Sequence, residues 1–108
     1  MQIAPLLHVG RGVTAIIGGG GKTTLMETLA GELSKKGKVI ITTTTHICRP
    51  KQYETLLDAD EAAVSAALER SGIVCVASQA ESGKLCAPCL SMGTLAQLAD
   101  FVLVEADG

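Results

Sequence analysis

The sequence has no tryptophan, and Tyr53 and Phe101 are its only aromatic residues in 108. Proteins that bind single-stranded nucleic acid stack successive bases on aromatic rings along a basic groove, and two rings so far apart in the chain supply no such platform. Neither sign of charge is in excess. Nine Lys and Arg stand against eleven Asp and Glu, for a formal net charge of −2, so general attraction to a polyanion is not expected. No apolar run comes near the roughly 20 residues that a membrane-spanning helix needs. The opening MQIAPLLHVGRG has no basic lead before its apolar stretch and no clear cleavage signal, so the chain reads as cytoplasmic. Its four cysteines, Cys48, Cys75, Cys86 and Cys89, therefore read as reduced thiols and not as a disulfide framework.

What is present is a large apolar share, 47% of the residues, ample for the core of a globular domain. Val13 to Ile17 is a β-branched run closed by glycines, which predicts a strand buried on both faces. From Thr23 to Lys36 the residues Leu25, Leu29 and Leu33 recur every fourth position beside Met26 and Ala30, which predicts a helix with one apolar stripe. Lys35 and Lys36 favour the negative end of that helix, and Gly37 is suited to a left-handed cap. Lys38 to Thr45 reads as a second strand, giving a βαβ unit with a parallel pair and a right-handed crossover. Arg49 to Ala59 contains Pro50 and has no clean period, so it reads as a loop with a turn of helix around Glu54 to Leu57. Asp60 is placed to cap a helix that faces inward through Val64, Ala67 and Leu68 and ends near Gly72. Ile73 to Ser78 is a third strand, Gln79 to Leu90 a surface connection, Ser91 to Ala99 a short helix and Phe101 to Val104 a fourth strand. Alternating strands and helices predict a three-layer α/β domain with a parallel sheet. The sequence stops at Gly108, directly after that last strand, with nothing left to cover the remaining face and edge of such a sheet. Residues 1–108 are thus expected to be the N-terminal part of a single domain in a longer protein.

The strongest chemical signal is IIGGGGKTT, Ile16 to Thr24, between a predicted strand and a predicted helix. Phosphate oxygens need several donors at close range, and glycines let successive N–H groups turn inward with no Cβ in the way. Gly18, Gly19, Gly20 and Gly21 meet that need, and the following helix adds the positive end of its dipole. Lys22 supplies a charge for the β- and γ-phosphates, the Thr23 hydroxyl is a ligand for Mg²⁺, and Thr24 follows in the same turn. The full pattern G-x-x-x-x-G-K-[ST] would place its first glycine where this chain has Ile16. As a plain linker, four glycines would each cost roughly 0.5–1 kcal/mol relative to alanine. A dinucleotide fingerprint G-x-G-x-x-G fails, because the sixth residue from Gly18 is Thr23.

A second signal is FVLVEADG, an apolar strand that delivers Glu105 and Asp107 at its carboxyl end. Phosphate-loop proteins hold Mg²⁺ or its water shell at that place, and Glu105 ranks first because it follows the strand directly. A third is Thr42 to Thr45 with His46. β-Branching alone accounts for Thr42 and Thr43, whereas Thr44 and Thr45 reach the strand end, where a hydroxyl meets a γ-phosphate, a metal-bound water or a substrate. Cys86-Ala87-Pro88-Cys89 has the spacing of a zinc or redox motif, but a structural zinc needs four ligands, and His46 and Cys48 would have to come near.

Together IIGGGGKTT, TTTTH and VEADG resemble the YqeC-like proteins, accessory factors for selenium-dependent molybdenum hydroxylases, over Thr14 to Gly108. The resemblance implies a P-loop NTPase fold in which the glycines, Lys22 and Thr23 bind ATP or GTP and Glu105 and Asp107 face its Mg²⁺. It also implies a molybdenum hydroxylase or its cofactor as partner. The glycine loop is similar as well to that of the partitioning and nitrogenase-reductase ATPases, which carry a lysine where this chain has Ile17, so their mechanism of hydrolysis in a dimer does not carry over. Glu at the strand end is similar to nickel-insertion GTPases and molybdopterin nucleotide-attaching proteins. A small-molecule kinase and a non-hydrolysing nucleotide-gated interaction module remain alternatives on the same fold.

Overall fold

The structure, a computed structural model, describes residues 12–16, 22–44, 53–81 and 83–105, and for residues 15, 16 and 22–26 the backbone alone. In chain order the elements are β1 (Gly12–Ile16), α1 (Lys22–Ser34), β2 (Val39–Thr43), β3 (Glu54–Leu57), α2 (Glu61–Ser71), β4 (Ile73–Gln79), β5 (Leu85–Cys86), α3 (Met92–Leu98) and β6 (Phe101–Glu105). Five strands form a parallel sheet in the order β1-β6-β2-β4-β3, and β5 pairs antiparallel with β4.

Side-chain alternation along the central strands assigns each face its helices. Val39 and Ile41 of β2 join Phe101 and Leu103 of β6 against Leu29, Ala30 and Leu33 of α1. On the other face Ile40, Val74, Val76, Val102 and Val104 pack against Val64, Ala67 and Leu68 of α2 and Leu95 of α3. Full burial of each large aliphatic side chain contributes about 1.5–3 kcal/mol, so these two clusters account for most of the cohesion between the layers. No helix among the described residues is long and apolar enough to cross a membrane.

Local rules hold well for α2. The Asp60 carboxylate accepts from the Ala63 N–H at 2.8 Å, and Gly72, at φ 79°, closes the helix through its N–H to the Leu68 carbonyl at 2.8 Å. Ser91 caps α3 in the same way, accepting from the Thr94 N–H at 3.1 Å. At the surface Arg70 pairs with Glu54 at 2.7 Å and Lys38 with Glu69, contacts that contribute little in water.

Several expectations need correction. β1 stands at the edge of the sheet and is not buried on both faces, its Val13 being 47% exposed, and β2 ends at Thr43, short of Thr44 and Thr45. Glu54 to Leu57 is a strand and not a turn of helix: it pairs with Val74 to Ala77, with Leu56 and Leu57 packing into different clusters. The connection between β4 and α3 contains the short strand β5. Strands β1 and β2 are parallel but not neighbours, because β6 lies between them and pairs with both. Finally, α1 ends at Ser34, so Lys35 and Lys36 follow the helix, and Gly37 is absent from the described glycines with positive φ. Gly37 is needed for space. A Cβ there would lie 2.8 Å from both Cβ and Cγ of Asp100, whose carboxylate accepts from the Lys38 N–H at 2.9 Å.

Candidate functional site

The five parallel strands all end on one edge, and in open α/β sheets ligands bind beyond the carboxyl ends of the strands. Ile16 ends β1, and residues 17–21, the glycine segment, join it to α1. Glu105 ends β6 between two register partners, Ile16 on one side and Thr43 on the other, each one strand spacing of about 5 Å away. Because Phe101 and Leu103 face α1, alternation puts Glu105 on the α1 side of the sheet, and Thr43 follows Val39 and Ile41 onto the same side. The amino end of α1, with the positive end of its dipole, rises from this same edge.

The end of β6 is tied to β2. The Glu105 carbonyl accepts from the Thr43 hydroxyl at 2.9 Å and from the Thr44 N–H at 3.2 Å. Thr43, which strand propensity alone explains in the sequence, is fully buried and fixes the backbone that carries the acid. Only the period-2 alternation with Glu105's strand would have singled it out. Thr42, its neighbour, points to the other face and is buried with no hydrogen-bond partner for its hydroxyl.

The expected binding residues divide accordingly. Lys22, Thr23 and Thr24 are the first three residues of α1, and their side chains lie outside those described. Gly18, Gly19, Gly20, Gly21, Thr45, His46, Cys48 and Asp107 also lie outside the described residues. Thr44 is exposed at the end of β2, and Glu105 is half-buried. Their backbones are linked by the hydrogen bond from the Thr44 N–H to the Glu105 carbonyl.

Further along the edge, three side chains converge that sequence reasoning did not group. Asp58, directly after β3, accepts on Oδ1 from the Ser78 hydroxyl at 2.6 Å and from the Cys89 thiol at 3.2 Å. These two hydrogen bonds, Ser78's first, hold the Asp58 carboxyl below its ordinary value. Cys86 ends β5 and Cys89 lies beyond it, but among the described residues no three His, Cys, Asp or Glu side chains are arranged to hold a metal. Tyr53, packed against the α1 cluster, has its phenol pushed up to about 12, by burial first and then by Glu27 and Cys75.

The sequence model of the family described as YqeC protein matches residues 14–108. The chain belongs to the YqeC family. The YqeC match opens in β1 and runs to Gly108, so one continuous alignment takes in the glycine segment, the threonine run and the terminal acids. No significant match was found among curated proteins or among solved structures.

Proposed function

We propose that this YqeC-family chain is a Mg²⁺-dependent P-loop protein that binds ATP or GTP and hydrolyses it, as an accessory factor in cofactor maturation for selenium-dependent molybdenum hydroxylases. The observation that carries the reading is the position of Glu105: on the strand beside the one that delivers the glycine segment, at the carboxyl edge, on the face that α1 covers. Its donor set fits the ion. Mg²⁺ is held by hard oxygens, usually one or two carboxylates with a hydroxyl, waters and substrate phosphates, so a single well-placed acid suffices. Glu105 and Thr23 would hold it, and when bound it supplies neutralisation of charge on the phosphates.

The chain's own groups account for the rest. Amides of Gly18 to Gly21 and the amino end of α1 receive the β- and γ-phosphates, and Lys22 neutralises the γ-phosphate oxygens. The two hydrogen bonds to the Glu105 carbonyl fasten the end of β6, and so the backbone that carries Glu105, to the end of β2. Thr44, Thr45 and Asp107 orient an attacking water near the γ-phosphate.

Calorimetric titration of the full-length protein with ATP and GTP, with and without Mg²⁺, tests this. Lys22→Ala is expected to weaken triphosphate binding at least about tenfold, or roughly 1.4 kcal/mol. Glu105→Gln is expected to keep binding in the absence of Mg²⁺ and to lose the Mg²⁺ enhancement. Lys22→Ala binding as tightly as wild type overturns the assignment, and label passing from the γ-phosphate to a metabolite and not to water would make the protein a kinase.

A further inference from the structure

The nucleotide reading leaves four side chains at the ends of β3, β4 and β5 unused. Ser78 and Cys86 are direct partners across the antiparallel β4–β5 pair, and opposed residues of such a pair carry their side chains on one face with Cα atoms about 4.5–5.5 Å apart. The Ser78 hydroxyl also lies 3.8 Å from the Cys89 Sγ. One serine therefore has the first cysteine of CAPC beside it on the adjacent strand and the second against its hydroxyl. The loop has folded back so that both thiols border the same side chain, and Pro88 between them narrows the conformations the loop can adopt. Access differs sharply among the described thiols. Cys89 is exposed and Cys86 partly so, while Cys75 is buried in the sheet.

We propose that Cys86 and Cys89 form a thiol–disulfide exchange site, cycling between a dithiol and an intramolecular disulfide against a disulfide-bearing molecule R–S–S–R. The Cys89 thiolate attacks one sulfur, the S–S bond of R–S–S–R breaks and RS⁻ leaves. The Cys86 thiolate then attacks the Cys89 sulfur of the mixed disulfide and displaces the second RS⁻. Two protein S–H bonds are exchanged for one S–S bond, two electrons pass to R–S–S–R, and the two protons end on two RSH molecules. Asp58 reports the state of the pair. In the dithiol it accepts from both Ser78 and Cys89, whereas the disulfide has no hydrogen to give and leaves it the Ser78 hydroxyl.

The full-length protein is equilibrated in buffers of graded reduced and oxidised glutathione, quenched in acid, alkylated and mapped by peptide mass spectrometry. Alkylation of Cys86 and Cys89 is expected to fall together, at least about tenfold across the series, with a Cys86–Cys89 peptide link appearing in step. Cys86→Ser is expected to carry glutathione on Cys89, and Cys48→Ser to behave as wild type. In the oxidised protein the Asp58 carboxyl, followed by NMR, is expected to titrate nearer the ordinary carboxylate value than in the reduced protein. Three results overturn the proposal: no Cys86–Cys89 link in the most oxidising buffer, a stable glutathione adduct on Cys89 in the wild type, or loss of the link in Cys48→Ser.

Discussion

Thr42 and Thr43 are adjacent in β2, both have 0% exposure, and the same substitution is expected to leave the chain more stable at position 42 than at position 43. Valine keeps the branched shape and strand preference of threonine and replaces the hydroxyl by a methyl, so the gain from burying a methyl enters both variants alike and cancels in their difference. At position 42 the hydroxyl has no partner, and an unpaired buried hydroxyl costs about 1–3 kcal/mol. Thr42→Val removes that penalty. At position 43 the hydroxyl donates to the Glu105 carbonyl at 2.9 Å, a bond that contributes roughly 0.5–1.5 kcal/mol. Thr43→Val forfeits it, although the carbonyl keeps the Thr44 N–H at 3.2 Å and is not stranded. The two variants should therefore differ by about 3 kcal/mol, with Thr42→Val the more stable. For a chain of this size 1 kcal/mol corresponds to roughly 4 °C or more, so melting temperatures should lie about 12 °C apart, and urea midpoints should separate with unchanged slopes. Equal midpoints, or the reverse order, would refute the assignment of one hydroxyl as paired and the other as orphaned.

Two glycines offer a second contrast. Gly37→Ala is expected to destabilise by about 1–3 kcal/mol, because its Cβ would press on Asp100 at 2.8 Å, whereas Gly31→Ala on the open face of α1 is expected to stabilise by roughly 0.5–1 kcal/mol; thermal melts decide both. A third expectation concerns alkaline pH. The folded phenol of Tyr53 holds its proton until about 12 while the unfolded chain releases it at 10.0, so the unfolded state binds fewer protons across that window and stability falls as pH rises through it. Phenolate absorbance of this single tyrosine follows the titration directly, and Tyr53→Phe should flatten the decline; titration at the ordinary value, or an unchanged decline, would contradict the burial.

Some of the architecture was readable because it is local. The cap at Asp60, the inward stripe Val64, Ala67 and Leu68 and the stop at Gly72 each depend on residues within a few positions, and each appears as expected. The strands expected over Lys38 to Thr45 and Phe101 to Val104 also form, with bounds Val39–Thr43 and Phe101–Glu105, as does the short helix expected from Ser91. Glu54 to Leu57 was not readable. Four residues carry no period of their own, and only pairing with β4 makes them a strand. The Asp58–Ser78–Cys89 group was not readable for the same reason, since Asp58 follows β3, Ser78 lies in β4 and Cys89 follows β5, and they meet only once β3 and β5 have both paired with β4.

Composition and short-range pattern were thus enough to establish a parallel α/β layer structure, the glycine segment before a helix and an acid at the end of an apolar strand, since propensity, capping and alternation act within one turn or one strand. Strand order is another matter. That β6 inserts between β1 and β2, bringing Glu105 beside Ile16 at the end of β1 and its carbonyl to the Thr43 hydroxyl, follows from hydrogen bonds between segments distant in sequence. So does the role of Gly37, whose missing side chain makes room for Asp100. Burial on both faces tells a strand to be central without telling it which neighbours to take, and only closure of the whole sheet selects them.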